Sequence, residues 1–149
     1  MAEESEGSAV EDKVALLSFR AAGDPNDDLA SWDEATEPCG EGWNSDSSGW
    51  AGVQCDAEGG RVTRLYFWGK DGLLGTLESL APLTALNYLY LYNCGAVSGD
   101  VGSLAALTQL SYLGLSVTSV SGSVEPLAAL TQLTGLDLSF TSVSGSVEP

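Results

Sequence analysis

TSVSGSVEP is written at Thr118–Pro126, and the same nine letters return 23 residues later at Thr141–Pro149. Leu104–Leu110 and Leu127–Leu133 both read LAALTQL, and Leu80–Leu86 reads LAPLTAL one step earlier. A fainter copy begins at Val62. Aligning the copies stacks apolar residues in columns. One holds Leu65, Leu89, Leu113 and Leu136, a second Phe67, Leu91, Leu115 and Leu138, and a third Leu77, Val101, Val124 and Val147. A glycine column runs through Gly75, Gly99, Gly122 and Gly145. Self-similarity at a period of this length marks a solenoid, in which each unit buries its apolar side against the next. The L-x-L segment alternates faces and reads as a short strand. These strands stack in parallel, one per repeat, and the remaining leucines fill a shared interior. The glycine sits where the chain turns tightly.

The unit, L-x-x-L-x-x-L-x-x-L-x-L-x-x-(C/T)-x-V-x-G-x-V, resembles the leucine-rich repeat in its plant-type form, over residues 62–149. The resemblance implies an α/β fold, a right-handed solenoid with a parallel sheet on its concave face. Cys94, Thr118 and Thr141, with Lys70 in the irregular first copy, stand where the family usually has an asparagine ladder. The threonine hydroxyls are expected to bond neighbouring turns, and Cys94 to be a small buried residue. Two threonines are too few for a flat ice-binding array.

The front of the chain reads as a cover for the first rung. Ser8-x-x-Glu11 is a capping box; Val10, Val14, Leu16 and Leu17 follow at helical spacing, with Phe19 nearby and Gly23 as C-cap. The order ALLSFR, DP, L-x-SW, PC, GW-x-GV-x-C-D and RVTRL is similar to the N-terminal cap of plant-type leucine-rich-repeat proteins, receptor kinases among them. The expected division is a disordered acidic tail over 1–7, a helical cap over 8–61, and about three and a half repeats over 62–149. The resemblance implies a disulfide between Cys39 and Cys55 that staples the cap, worth roughly 3 kcal/mol by loop-closure entropy. Fifteen residues separate the pair, more than the family usually has, and Trp43 lies in the insertion. Cys94 is left as a free thiol.

A disulfide and the resemblance favour an exported protein. Met1–Ser8 has neither the basic start nor the apolar stretch of a secretory signal. A trimmed signal and a cytoplasmic protein starting at Met1 both stay open. Asp24-Pro25-Asn26-Asp27-Asp28 is acidic, but Leu29 and Ala35 stand where a calcium loop needs Gly and Glu. It reads as a solvated acidic surface.

Five basic residues face 21 acidic ones in 149, a net charge of -16. Residues 1–60 hold 15 of the acids and two of the bases, and no Lys or Arg follows Lys70. Nucleic acid and anionic membranes are therefore repelled. No apolar run approaches the roughly 20 residues of a membrane span. The chain has no His, which excludes His-based triads and imidazole acid–base work.

Strand residues between the inward leucines point to the concave face. They form three rows across the repeats: Arg64, Tyr88, Tyr112, Gly135; Tyr66, Tyr90, Gly114, Asp137; Trp68, Tyr92, Ser116, Ser139. All five tyrosines of the chain fall here, joined by Trp68, in a patch expected to measure roughly 10 by 13 Å. Strand propensity explains one or two such residues, not five. Tyr supplies large rigid contact area with a polar tip, as binding surfaces do. Glycosidase chemistry needs two facing carboxylates, and this face offers Asp137 alone. The reading is a non-catalytic module without cofactor or metal, binding a peptide, a protein or a carbohydrate on this face. The rival is a structural or assembly role, or a fragment of a longer receptor without a ligand site. Residues 127–149 look like an inner repeat, so Leu136, Leu138, Val143 and Val147 are expected to need further repeats or another chain above them.

Overall fold

The computed structural model describes residues 9–27, 29–39, 50–56 and 60–145. The expected acidic tail, Ser8 of the capping box, Asp28, Trp43 and Val147 lie outside the described residues. From the N-terminus, α1 (Ala9–Ala21) precedes β1 (Val53–Cys55) and β2 (Val62–Trp68). Strand pairs follow, one pair per repeat: β3 (Tyr88–Tyr92) with β4 (Cys94–Asp100), β5 (Tyr112–Gly114) with β6 (Thr118–Ser123), and β7 (Gly135–Asp137) with β8 (Ser142–Ser144). Turns of 3₁₀ helix at Leu77–Leu80, Val101–Ala106 and Glu125–Ala129 bring the chain back for the next rung.

One sheet runs β1-β2-β3-β5-β7 and a second runs β4-β6-β8. In the larger sheet the repeat strands pair in parallel with the column register: Leu65 with Leu89, Leu89 with Leu113, Leu113 with Leu136. The three-stranded sheet was not foreseen in the sequence. Nor was β1, which closes the edge antiparallel to β2. Between the sheets lies a continuous apolar interior, with Leu65, Leu77, Leu89, Leu91, Leu113 and Leu115 fully buried. Each such side chain contributes about 1.5–3 kcal/mol relative to exposure.

The repeat reverses direction at a position the columns did not reveal. Gly69 (φ 74), Asn93 (φ 59), Val117 (φ 59) and Phe140 (φ 57) occupy equivalent places just past the large-sheet strands, all left-handed. The first three donate their N–H to the next repeat, to the carbonyls of Tyr92, Ser116 and Ser139 at 2.9, 3.0 and 3.1 Å. Gly and Asn accept this conformation readily, whereas a β-branched residue there is strained.

Three expectations need correction. In the glycine column Gly99, Gly122 and Gly145 have positive φ, but Gly75 does not. A Cβ on Gly75 would collide with the Phe19 ring, so that glycine admits the helix rather than making a turn. The threonine hydroxyls bond within their own repeat: Thr118 Oγ1 donates to the Leu115 carbonyl (2.7 Å) and Thr141 Oγ1 to that of Leu138 (2.6 Å). The acidic stretch after the helix is not simply solvated. Arg20 pairs with Asp24 and Asp27, and Asp24, with a side chain only 5 % exposed, also accepts the Leu29 N–H. Cys94 is fully buried and free, as expected.

The helix buries a different stripe from the one its valines suggest. Asp12, Ala15, Leu16 and Phe19 face inward, while Val10 and Val14 are 72 % and 59 % exposed. A carboxylate explains the choice. Asp12 grips the Arg61 guanidinium with both oxygens (2.8 and 3.1 Å) and accepts the Val62 N–H at 2.9 Å, while Arg61 also reaches Thr84. The helix is thereby fixed to the first strand of the repeats. Behind it Trp32 packs on Trp50, Phe67 and Phe19 with ring centroids 5.4, 5.6 and 6.4 Å apart. Both buried indoles are satisfied, Trp32 Nε1 donating to the Ala51 carbonyl and Trp50 Nε1 to Thr36 Oγ1. Cys39 and Cys55 are bonded, with Cα atoms 5.8 Å apart.

Two outcomes follow for stability. Asp12→Ala strands a guanidinium and a buried N–H and should cost about 3 kcal/mol, read from equilibrium urea unfolding. Val117→Asn relieves the left-handed strain and should stabilise by about 1 kcal/mol in the same assay. A destabilised Val117→Asn chain would show that packing of the valine outweighs its backbone strain.

Candidate functional site

The alternation that buries the leucines leaves the other residues of β2, β3, β5 and β7 on the open face of the large sheet. The observed pairing reproduces the rows: Arg64–Tyr88–Tyr112–Gly135, Tyr66–Tyr90–Gly114–Asp137, and Trp68–Tyr92. The third row ends there as a strand row, because β5 stops at Gly114. Ser116 is buried, and its hydroxyl meets that of Ser139 at 2.9 Å.

The six rings form one connected surface. Tyr90 lies at its centre, with centroids 4.9 Å from Tyr66, 6.0 Å from Tyr92, 6.2 Å from Tyr112 and 6.4 Å from Tyr88. Trp68 joins through Tyr92 at 6.5 Å with near-parallel planes, and Tyr88 stacks on Tyr112 at 5.0 Å. Tyr66 and Trp68 are the most open, 49 % and 59 % exposed.

Two glycines shape this surface in a way the rows alone did not reveal. A Cβ on Gly135 would sit 2.5 Å from Tyr112 Cδ1, and one on Gly114 would sit 2.9 Å from Tyr112 Cε2 and 3.1 Å from Tyr90 Cδ1. The Tyr112 ring therefore lies across both glycines instead of standing off the sheet. The signal in the sequence was glycine in a strand interior, which marks a close approach.

Opposite charges bound the aromatic floor. At one margin the Arg64 guanidinium carbon is 4.9 Å from the Tyr88 ring centroid, a cation–π contact of about 0.5–1 kcal/mol at an exposed site. Three strand spacings away, roughly 14 Å, stands Asp137. The Ser139 hydroxyl (2.7 Å) and N–H (3.1 Å) both donate to its carboxylate and hold its pKa below the usual value. Burial, then the charge of Asp137 and the phenol of Tyr88, push the Tyr112 pKa up. Burial and the surrounding phenols do the same for Tyr90. Tyr90 and Tyr112 are thus held as neutral phenols beside the Asp137 carboxylate. Among the described residues no three His, Cys, Asp or Glu side chains gather to hold a metal ion.

The coupling of Tyr112 to Asp137 can be measured. A raised phenol pKa means the proton is held to higher pH, and removing the carboxylate removes part of that hold. Asp137→Asn should therefore shift the Tyr112 titration, followed by ¹³Cζ NMR, towards lower pH. No shift would mean the carboxylate does not face the ring.

Residues 10–56 match the family described as the leucine rich repeat N-terminal domain. No curated protein sequence matches the chain significantly. Among solved structures, a plant ice-binding protein is similar at 30 % identity and a TM-score of 0.76, over 93 % of this chain and 43 % of that one. The leucine-rich-repeat ectodomain of the Arabidopsis receptor kinase HAESA, solved with a peptide hormone ligand, gives 26 % identity and a TM-score of 0.71, over 92 % of this chain and 22 % of that one. The ectodomain of the Arabidopsis thaliana receptor kinase SOBIR1 gives 25 % and 0.66, over 93 % and 71 %. The chain thus spans about two fifths of the ice-binding protein and about a fifth of the HAESA ectodomain. With residues 10–56 matched to the leucine rich repeat N-terminal domain and its repeats folded like these ectodomains, the chain is similar to plant leucine-rich-repeat proteins.

Proposed function

We propose that this chain is a non-catalytic binding module whose aromatic face takes a peptide or a segment of a protein. The observation that carries the reading is the single connected surface of six rings, bounded by Arg64 on one side and Asp137 on the other. Tyrosine rings held by neighbours lose little entropy on binding, and their hydroxyls meet main-chain polar groups. The likeness to an ectodomain solved with a peptide hormone supports the same class of ligand. Flat aromatic rings also suit the apolar faces of sugars, so carbohydrate is the alternative ligand on the same surface.

The last rung supports a further element of this reading. Leu136 is 45 % and Phe140 82 % exposed, and the outer edges of β7 and β8 have no partner strand among the described residues. Further repeats or another chain covering that end would complete the stack. In that arrangement the rival role, a stretch of a larger receptor or assembly without its own ligand, becomes the reading to beat.

Panning a displayed peptide library against the folded chain tests the proposal. Selected peptides should quench Trp and Tyr fluorescence on titration. Tyr88→Ala with Tyr90→Ala should weaken their binding at least a hundredfold while leaving the melting temperature nearly unchanged, because neither ring fills the interior. Peptides that bind the double variant equally well would move the site elsewhere. A double variant that fails to fold would place those rings in the core.

A further inference from the structure

The helix carries two apolar stripes, one buried in the fold and the other touching the core through Leu17 alone. At 100° per residue Val10, Val14, Leu17 and Ala21 fall within about 60° of one another, on the side opposite Asp12, Ala15, Leu16 and Phe19. Val10, Val14 and Ala21 are exposed and Leu17 is half-buried. Val14 lines two shallow grooves, one on each flank of the helix. One groove is walled by residues 32–34 and the other by the 3₁₀ turn at Leu77–Leu80 and Pro82. An apolar stripe over four helical positions at i, i+4, i+7 and i+11, with a groove on either side, has the geometry that receives a second helix.

The charges around it select the partner. Carboxylates rim both grooves: Glu11 and Glu78 on one side, Asp33 and Glu34 on the other. The two cations of the helix are already answered, Lys13 by Glu37 at 3.0 Å and Arg20 by Asp24 and Asp27 at 3.0 and 2.6 Å. A second copy of the chain would bring its own acidic front, 15 acids against two bases in residues 1–60, to the same place. Anionic lipid is repelled for the same reason. We propose that the outer face of α1 is a docking surface for a basic amphipathic helix of another protein, whose apolar side seats along Val10, Val14 and Leu17 and whose lysines or arginines meet the carboxylate rims. This surface is separate from the aromatic face.

The probe is a synthetic 18-residue helix with leucines along one side and lysines flanking them, compared with the same peptide flanked by glutamates. Titrated into the ¹⁵N-labelled full chain, the lysine peptide should shift the amides of Ala9–Ala21, and the glutamate peptide should not. Val10→Ser with Val14→Ser should weaken the lysine peptide at least tenfold. These positions are exposed, so the thermal melt should stay in place. Raising salt from about 50 to 500 mM should weaken it severalfold. The variant Tyr88→Ala with Tyr90→Ala should bind this peptide unchanged, which separates the outcome from that of the aromatic face. Equal binding of both peptides, shifts confined to the large sheet, or indifference to the serine substitutions would overturn the proposal. So would a dimer in light scattering that the serine variant dissolves, since the occupant would then be a second copy.

Discussion

Alternate residues of neighbouring strands are locked inward, and nearly everything else about this molecule is a consequence. Leu65, Leu89 and Leu113 occupy one line through the interior, and Phe67, Leu91 and Leu115 the next, all at or near zero exposure. A strand has a period of two, so fixing one set fixes the other. Slipping β3 alone by one residue would put Tyr88, Tyr90 and Tyr92 into the core and expose Leu89 and Leu91. The cost of that exchange holds the aromatic rings on the open face without any contact made for the purpose. The ring–ring contacts then set the texture of a surface whose location the interior has already decided.

The same interior has to be closed at its first rung, and there the chain adds a charge to the hydrocarbon of Leu16, Phe19 and Trp32. Val10 and Val14 could have turned inward at helical spacing. The helix instead presents Asp12, which binds Arg61 and the Val62 N–H at the start of the first strand. An apolar contact would tolerate rotation of the helix about its axis. A carboxylate bonded through both oxygens does not. Phe19 can then reach the space left open at Gly75, and the Trp32–Trp50 pair can cover Phe67. The same rotation leaves the valines outside as an apolar stripe.

Much of this was legible in the sequence because repetition supplies its own alignment. The columns identified the inward leucines, the buried free Cys94 and the rows that carry the tyrosines. What stayed hidden depends on a second object the columns do not contain. The role of Gly75 depends on Phe19, some 56 positions earlier, and that of Asp12 on Arg61. The left-handed corner at Gly69, Asn93, Val117 and Phe140 was masked because Val and Phe are poor signals for positive φ. Gly114 and Gly135 were placed correctly on the face, but nothing local said that the Tyr112 ring would lie over them. The three-stranded sheet was missed because its segments are rich in Ser and Gly, which are weak strand formers.

The central claim is that one set of aromatic residues is turned out to solvent while another is sealed in the cap. Photo-CIDNP NMR with a flavin dye measures that directly, since only rings the dye can touch become polarised. Resonances of Tyr66 and Trp68 should be strongly enhanced, those of the other face tyrosines visibly so, and those of Trp32 and Trp50 silent. Polarised Trp32 or Trp50 with silent tyrosines would contradict the register on which the fold and the binding face both rest.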